Sequence, residues 1–412
     1  MTRAGRTTCG PALLWTMAAL LAAAPATSGA AQTQTQASPR AASPRPRPPS
    51  SPSFEAVAKK AEAAKAAGRF EEAIRYYREA LKLQPAWLEG RFFLGTLLYD
   101  NDRYAEARDE FRTLVQADPK NGLVLALKGL CEFRLQNHER ALTELEAARA
   151  LGIVSPEVMA AASYHAAILM NRFERFESAF EILREFALQD KDTPGVIEAF
   201  GLSVLRLPYL PSEAPSDRRE MILMAGRAGF YQAKSRRSPV AQLAFEELVS
   251  RYPTAPNVHY AFGVYLANEQ PEAALEEFRR ELRSSPTHYH AMLQIAFELM
   301  KQGKFEEARP HAERAVDLAP SLFVAHHALG RIRFEAGDAE AAIQSLEIAR
   351  KLAPDSPEVR FSLARAYAKV GRSEEAARER EEFLRLDKAR RAAAPDAESV
   401  GRKVEESPPP KN

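Results

Sequence analysis

The stretch GKFEEARPHAERAVDLAP, residues 303–320, has a close counterpart in GRFEEAIRYYREALKLQP, residues 68–85. Both place Gly, Phe, Glu-Glu-Ala, a second Ala and a closing Pro at the same positions. Two distant stretches of one chain share such a pattern when each belongs to a repeated structural unit. We therefore expect the chain to be an array of these units.

Further copies recur at a spacing of about 34 residues. Each has a small residue, an alanine twelve residues later and a larger apolar residue four further on, as in Gly95, Ala107 and Phe111. The copies begin at residues 54, 88, 122, 160, 194, 222, 256, 289, 323 and 357. This pattern resembles the tetratricopeptide repeat family. The resemblance implies an all-α solenoid of helical hairpins, wound as a right-handed superhelix of about nine to ten helix pairs in two blocks.

The recurring residue types have a physical reason within such hairpins. Small residues allow two helices to approach closely, so we expect Gly95 to lie against Ala107, with Phe111 sealing the stack between units. Gly68 and Gly303 stand where a first helix ends and should adopt a left-handed backbone conformation. One hairpin cannot bury its apolar face alone, so stability comes from stacking.

The N-terminus differs from the repeats. Arg3 and Arg6 precede an uncharged segment, residues 12–24, and small residues follow, which is typical of a secretory signal peptide over residues 1–30. The mature chain would then begin near Ala31; a retained membrane anchor is the alternative. We expect an exported bacterial protein of the periplasm or the extracellular space, associated with the cell envelope. No integral membrane span is expected once the signal is removed.

The rest of the chain divides into five further segments, two of which are repeat blocks. Residues 31–53 form a Pro/Ser/Gln-rich linker and residues 389–412 a disordered tail. Between them we predict an N-terminal repeat block, 54–207, and a C-terminal block, 217–388. A proline-rich elbow, 208–216, separates the blocks, because Pro208, Pro211 and Pro215 exclude a continuous helix. This elbow is either a rigid kink or a loop that docks a partner.

The composition argues against nucleic-acid binding and against an internal disulfide in the mature chain. The formal charge is +2, from 57 basic and 55 acidic residues, and neither half of the repeat region is strongly basic. Removal of the signal peptide would leave Cys131 without a second cysteine, and we expect it to be buried.

Nothing in the sequence predicts an enzyme, a metal site or a cofactor. The Glu-Glu pairs recur in register, at Glu71-Glu72 and Glu306-Glu307, and a catalytic pair would occur once. Carboxylates at these positions complement the dipole of the second helix. Several histidines occur between residues 259 and 327, among them His288 and His290. We expect His259 and His326 to be core imidazoles with hydrogen-bond partners. Metal binding at His290 and His327 is the less favoured alternative.

The resemblance implies that the first helices of the pairs line a concave groove. Aromatic and arginine side chains in such a groove suit the recognition of a peptide segment. The groove residues that we predict are Tyr260, His290, Phe297, His327, Arg331, Phe334 and Arg365, with Val264, Leu293, Met300 and Phe361 beside them. Corresponding N-terminal positions hold Phe92, Phe93, Tyr99, Leu127 and Phe133. Alternatively, these aromatic residues only fill the interior of a narrow superhelix.

We therefore expect a non-enzymatic adaptor or scaffold that holds a peptide segment of an envelope or secreted protein in this groove. The alternative is a structural spacer, or an oligomer that self-associates through its terminal faces. Family members that bind chaperones clamp a carboxylate with Lys and Asn in their early repeats. Here the corresponding positions are Ala58 and Glu62, which argues against that specificity.

Overall fold

The computed structural model describes residues 53–235 and 238–393. Over these residues the chain forms nineteen α-helices, one short 3-10 helix and no β-strand. The predicted all-α fold is therefore confirmed. The predicted signal peptide and nearly all of the predicted linker lie outside the described residues. The predicted tail starts too early, because the last helix continues to Ala393 through the helix-favouring sequence DKARRAA.

The helices follow one another with short turns between most of them. In chain order they are α1 (Phe54–Ala66), α2 (Phe70–Leu83), α3 (Leu88–Asp100), α4 (Tyr104–Ala117), α5 (Gly122–Arg134), α6 (His138–Leu151), α7 (Pro156–Arg172), α8 (Phe176–Leu188), α9 (Pro194–Val204), α10 (Arg219–Lys234), α11 (Pro239–Arg251), α12 (Val258–Leu266), α13 (Pro271–Ser284), α14 (Tyr289–Lys301), α15 (Phe305–Leu318), α16 (Phe323–Glu335), α17 (Ala339–Leu352), α18 (Pro357–Lys369) and α19 (Ser373–Ala393). The 3-10 helix spans Ser216–Arg218.

These helices form a solenoid of helical hairpins. The pairs are α1/α2, α3/α4, α5/α6, α7/α8, α10/α11, α12/α13, α14/α15, α16/α17 and α18/α19, and α9 is a first helix without a second one. In most of the array, the second helix of one pair packs on the first helix of the next. Nine pairs and the single helix α9 agree with the predicted nine to ten. Among the described residues, no helix combines the length and the apolar character that a membrane span requires.

The chain divides into two compact units, and the division differs from the predicted blocks. The first unit ends at Glu185 and also includes Pro208–Ser212. The second unit comprises Phe186–Leu207 and the chain from Glu213 onward. Helix α9 was predicted to close the N-terminal block, but it belongs to the second unit because it packs along α10. The proline-rich segment after α9 contains no α-helix, as predicted.

The turns within the hairpins confirm the expected role of glycine. Gly68 and Gly303, the first residues of the two matching stretches, have φ angles of +70° and +75°. Their amides donate to Lys65 and Met300 carbonyls and so close the first helices. Asp102 has the same role in the α3/α4 hairpin, with φ +59°.

The packing of the small residues corrects one prediction. A β-carbon on Gly95 would lie 2.8 Å from the Phe111 ring, so Gly95 makes room for this buried aromatic side chain and not for Ala107. In α16, a β-carbon on Gly330 would lie 2.6 Å from the Leu346 side chain and 3.2 Å from the Ala342 carbonyl oxygen, so this glycine makes room for both residues. The spacing of small and large residues that recurs along the chain therefore has a packing reason: a large side chain of the second helix lies over the backbone of the first helix.

The remaining expectations for single residues are met. Glu71 and Glu72 lie in the first turn of α2, and Glu306 and Glu307 in the first turn of α15. Cys131 is fully buried in α5, and burial raises the pKa of its thiol to about 12. A thiol with so high a pKa is inert at neutral pH.

Candidate functional site

The first helices of the second unit lie on the inner side of its curve. Besides the contacts between consecutive helices, α14 contacts α16, and α16 contacts α18. Within the described chain, successive second helices of this unit do not contact one another to the same extent. A stack in which the first helices are closer together than the second helices curves toward the first helices. The concave surface of the second unit is therefore lined by α14, α16 and α18, and α12 adjoins it through Tyr260, whose ring lies 6.3 Å from that of His290 in α14.

One end of this surface carries a cluster of cationic and aromatic groups. The guanidinium of Arg206, just after α9, donates from Nη2 to Nε2 of His290 at 3.1 Å. It also lies 5.9 Å from the centre of the Tyr260 ring. The Tyr260 ring is 4.8 Å from the ring of His288 and 6.3 Å from that of His290, between centroids. Arg206, Tyr260, His288 and His290 are called the proximal cluster below.

Both histidines of the proximal cluster are neutral in this arrangement. Arginine only donates hydrogen bonds, so Nε2 of His290 must be the unprotonated nitrogen. Nδ1 of His288 accepts from the Ala291 amide at 3.0 Å, while its Nε2 donates to Oδ1 of Asn257 at 2.7 Å. Burial, with a smaller effect of the Arg206 charge, lowers the pKa of His288.

The middle of the surface is apolar. Phe297 in α14 is half-buried and packs against a cluster that contains Met292, Leu293 and residues of α16 such as Ala328. An aromatic ring held on one side by the core is a rigid contact surface for a partner.

The other end combines a half-buried histidine with an arginine. Nε2 of His327 donates to Oγ of Ser362 at 2.9 Å, and that hydroxyl donates to the Glu358 carbonyl at the same distance. Burial and the nearby charge of Arg331 lower the pKa of His327 to about 4. Within residues 53–235 and 238–393, the Arg331 guanidinium itself has no hydrogen bond or ion pair. Arg331 is therefore available to bind an anionic group of a partner.

Arg365 and two phenylalanines form the outer part of this end. The guanidinium of Arg365 lies 4.6 Å from the centre of the Phe334 ring and 6.0 Å from that of Phe361. It also forms an ion pair with Glu335 at 3.2 Å. Phe361 remains 48% exposed. His327, Arg331, Phe334, Phe361 and Arg365 are called the distal cluster below.

The predicted groove residues thus lie on the expected helices, and neighbouring ones contact one another. Tyr260 differs from the expectation because it is only 6% exposed. Leu293, Met300 and the N-terminal Leu127, which were also predicted to face the groove, are buried as well. Sequence reasoning missed Arg206 and Ser362. Arg206 follows the helix at which the repeat register breaks, so no repeat pattern marks it.

The other histidines confirm the core interpretation. Nδ1 of the buried His259 lies 2.6 Å from Oε2 of Glu277, and its Nε2 lies 3.0 Å from the Pro253 carbonyl. The hydrogen bond to Glu277 raises the pKa of His259. In α16, Nε2 of His326 makes the equivalent contact, 2.9 Å from the Pro320 carbonyl. Among the described residues, no group of three or more His, Cys, Asp or Glu is arranged to hold a metal ion.

Comparison with known families agrees with the helical hairpins. Family models described as tetratricopeptide repeat match residues 59–122, 289–322 and 333–393. Cellulose synthase operon protein C of Xanthomonas axonopodis pv. citri is 31% identical over 144 residues, which are 33% of this chain and 10% of that protein. Anaphase-promoting complex subunit 3 of Schizosaccharomyces pombe is 27% identical over 149 residues, or 35% of this chain and 21% of that protein. The chain therefore spans about a fifth or less of the length of these two relatives.

Solved structures of MamA are also similar to part of the chain. A crystal structure of MamA covers 46% of this chain and 98% of its own, with 17% sequence identity and a TM-score of 0.37. MamA from Desulfovibrio magneticus RS-1 covers 40% of this chain and 96% of its own, with 24% identity and a TM-score of 0.36.

Proposed function

This chain is a tetratricopeptide repeat protein, and on that premise we propose that it is a non-catalytic adaptor that holds a peptide segment in the groove of its second unit. The observation that carries this proposal is the placement of Arg331. This half-buried residue has no hydrogen bond or ion pair in the described chain, and it lies on α16, which also carries Phe334, next along the stack from α14 with Phe297. An arginine of this kind binds a carboxylate or a backbone carbonyl with directional hydrogen bonds.

The two clusters suggest the chemistry of the bound segment. Arg206 belongs to the proximal cluster and Arg331 to the distal cluster, and the half-buried Phe297 and Phe334 lie on the same first helices as His290 and Arg331. The histidines His288 and His327 do not add charge at neutral pH, since burial keeps their pKa values low. An extended segment with apolar side chains and at least one carboxylate would complement this surface.

We also propose that the protein acts outside the cytoplasm, as a scaffold at the cell envelope. This rests on the sequence of residues 1–30, which lie outside the described residues. The cellulose synthase operon protein among the relatives is bacterial, but its similarity covers only a tenth of that protein.

Cross-linking in an envelope extract tests the adaptor function. A photoreactive amino acid at the position of Phe361, which is exposed beside the groove, should cross-link to a defined segment of one partner. The same group in place of Glu306, which lies on a second helix, is the matched control and should give no such product.

A spacer that self-associates would behave differently. It would cross-link to copies of itself, and its mass would rise with protein concentration. Either result in place of a distinct partner would contradict the adaptor function.

A further inference from the structure

Helix α10 exposes a face that the later first helices bury. Counted from the start of each repeat, this face consists of the third, sixth and tenth residues. In α10 these residues are Met224, Arg227 and Tyr231, and the Tyr231 side chain is 37% exposed. At the third and tenth positions, the residues of α14, α16 and α18 are all buried: Ala291 and Glu298, Ala325 and Ile332, Val359 and Ala366.

The second helix of the preceding pair covers this face elsewhere in the unit. Val359 and Ala366 of α18 form one core cluster with Ile343, Leu346 and Ala349 of α17. Ala325 and Ala328 of α16 form another cluster with Ala315 of α15, and Val316 and Leu318 pack against it. The covering element is in each case an amphipathic helix with small and apolar residues toward the next pair.

Helix α10 has no such helix before it. The preceding helix, α9, is itself a first helix, and it packs on a different face of α10. A β-carbon on Gly201 of α9 would lie 1.9 Å from the Ile222 carbonyl oxygen, and a β-carbon on Gly226 would lie 1.9 Å from the Ile197 carbonyl oxygen. In the described chain between α9 and α10, the only helix is the 3-10 helix Ser216–Arg218. Within the described residues, no second helix therefore precedes α10 to cover this face.

An apolar groove is found at this position. It lies between α10 and α11, has a volume of about 270 Å³, and its walls include Met224, Tyr231, Val240 and Leu243. Val240 is 52% exposed and Leu243 is 64% exposed. The equivalent residues of α15 are Glu307 and Pro310, so the outer face of α11 is unusually apolar. Arg227 and Glu247 lie on the rim and offer one charge of each sign.

We propose that this groove binds an amphipathic α-helix of a partner protein, which takes the position of the missing second helix. The occupant is a helix because both walls present side chains at helical spacing, and because a helix fills every equivalent position of the later pairs. Its inner face carries small and apolar residues, as α15 and α17 do, and its flanks pair with Arg227 and Glu247. This site is separate from the concave groove and does not depend on the function proposed for it.

The probe for this site is a labelled peptide with the sequence of residues 339–352, the helix α17 that covers α18. Its binding to the full chain is measured by fluorescence anisotropy. Saturable binding is expected, and Leu243→Asp should weaken it at least tenfold because the charge would be buried in the interface. Leu384→Asp is the matched control, since Leu384 is similarly exposed at 60% but lies on α19. It should leave the affinity unchanged.

Three results would overturn the proposal. One is the absence of saturable binding of the peptide to a chain whose circular dichroism is fully helical. Another is an equal affinity for the wild type and the folded Leu243→Asp variant. The third is self-association of the wild type that Leu243→Asp abolishes, because a second copy would then be the occupant.

Discussion

Gly201 of α9 and Ile222 of α10 bring two helix backbones into direct contact. A β-carbon on Gly201 would lie 1.9 Å from the Ile222 carbonyl oxygen, a distance that no side chain can accept. Gly226 and Ile197 form the reciprocal contact. These two glycines make α9 part of the second unit, although no complete repeat links α9 to α10.

Gly201→Ala should therefore destabilise the second unit strongly. The backbone of α10 must move away from α9, which uncovers apolar surface around Phe200 and Phe230, whose rings are 5.9 Å apart. We expect a loss of about 3 kcal/mol in the free energy of unfolding, as for severe overpacking of a core. Thermal and urea unfolding followed by circular dichroism measure this loss.

Gly303→Ala is the control for that substitution. A β-carbon at Gly303 meets nothing within 4 Å, but the φ angle of +75° is unfavourable for alanine. The expected cost is about 1 kcal/mol. Equal losses of unfolding free energy for the two substitutions would show that α9 and α10 can move apart without destabilising the unit.

The position of α9 also predicts where the chain can be divided. A fragment that begins at Lys191 retains α9 and should fold, whereas a fragment that begins at Ser216 lacks α9 and leaves Gly226 and Phe230 of α10 uncovered. We expect the shorter fragment to unfold at a lower urea concentration. Equal midpoints for the two fragments would instead support the boundary at residue 207 that the sequence predicts.

The pKa of His327 predicts a dependence of stability on pH. Its pKa is about 4 in the folded protein and about 6.5 in an unfolded chain, so protonation favours unfolding. The contribution of the neutral imidazole is fully present above pH 6.5 and is lost as the pH falls toward 4. Between pH 7 and pH 4.5, the wild type should lose on the order of 2 kcal/mol more than His327→Gln. Parallel curves of unfolding free energy against pH for the two proteins would contradict this, because they would mean that His327 has the same pKa in the folded and the unfolded chain.

Export predicts a new N-terminus. Cleavage after the Ser28-Gly29-Ala30 triplet should give a mature protein that begins near Ala31. N-terminal sequencing of the protein recovered from a culture of the exporting host measures this directly. Material that still begins at Met1 or Thr2 would support a retained anchor.

The sequence predicts the repeats well because each hairpin uses the same residue types at the same spacing for its turn and its packing. The left-handed turn at Gly303, the buried alanines and the first-turn glutamates all follow from residue type and spacing. The place of α9 could not be predicted, because Gly201 has the same place in its repeat as Gly330, yet it contacts a backbone instead of a leucine side chain. The difference arises because α9 has no second helix of its own, and the spacing of residues within the repeat does not show this.

The candidate site was predictable in its position but not in its chemistry. The repeat register places Phe297, His327 and Arg331 on one side of successive first helices. It does not reveal that Ser362 accepts from His327, or that Arg206 reaches His290 from outside the regular repeats. These contacts depend on side-chain distances between helices, which the spacing along the chain leaves open.

The affinity of the chain for the peptide segment that cross-links beside Phe361 tests the central claim most directly. Isothermal titration of this segment is compared for the wild type, Arg331→Ala, Phe297→Ala and the second-helix control Glu306→Ala. Loss of an aromatic or arginine contact at the centre of an interface costs about 2 kcal/mol. We therefore predict that Arg331→Ala and Phe297→Ala each weaken binding at least tenfold with unchanged circular dichroism, and that Glu306→Ala has no effect. Wild-type affinity in both groove variants would contradict the claim that the concave surface of the second unit holds the partner.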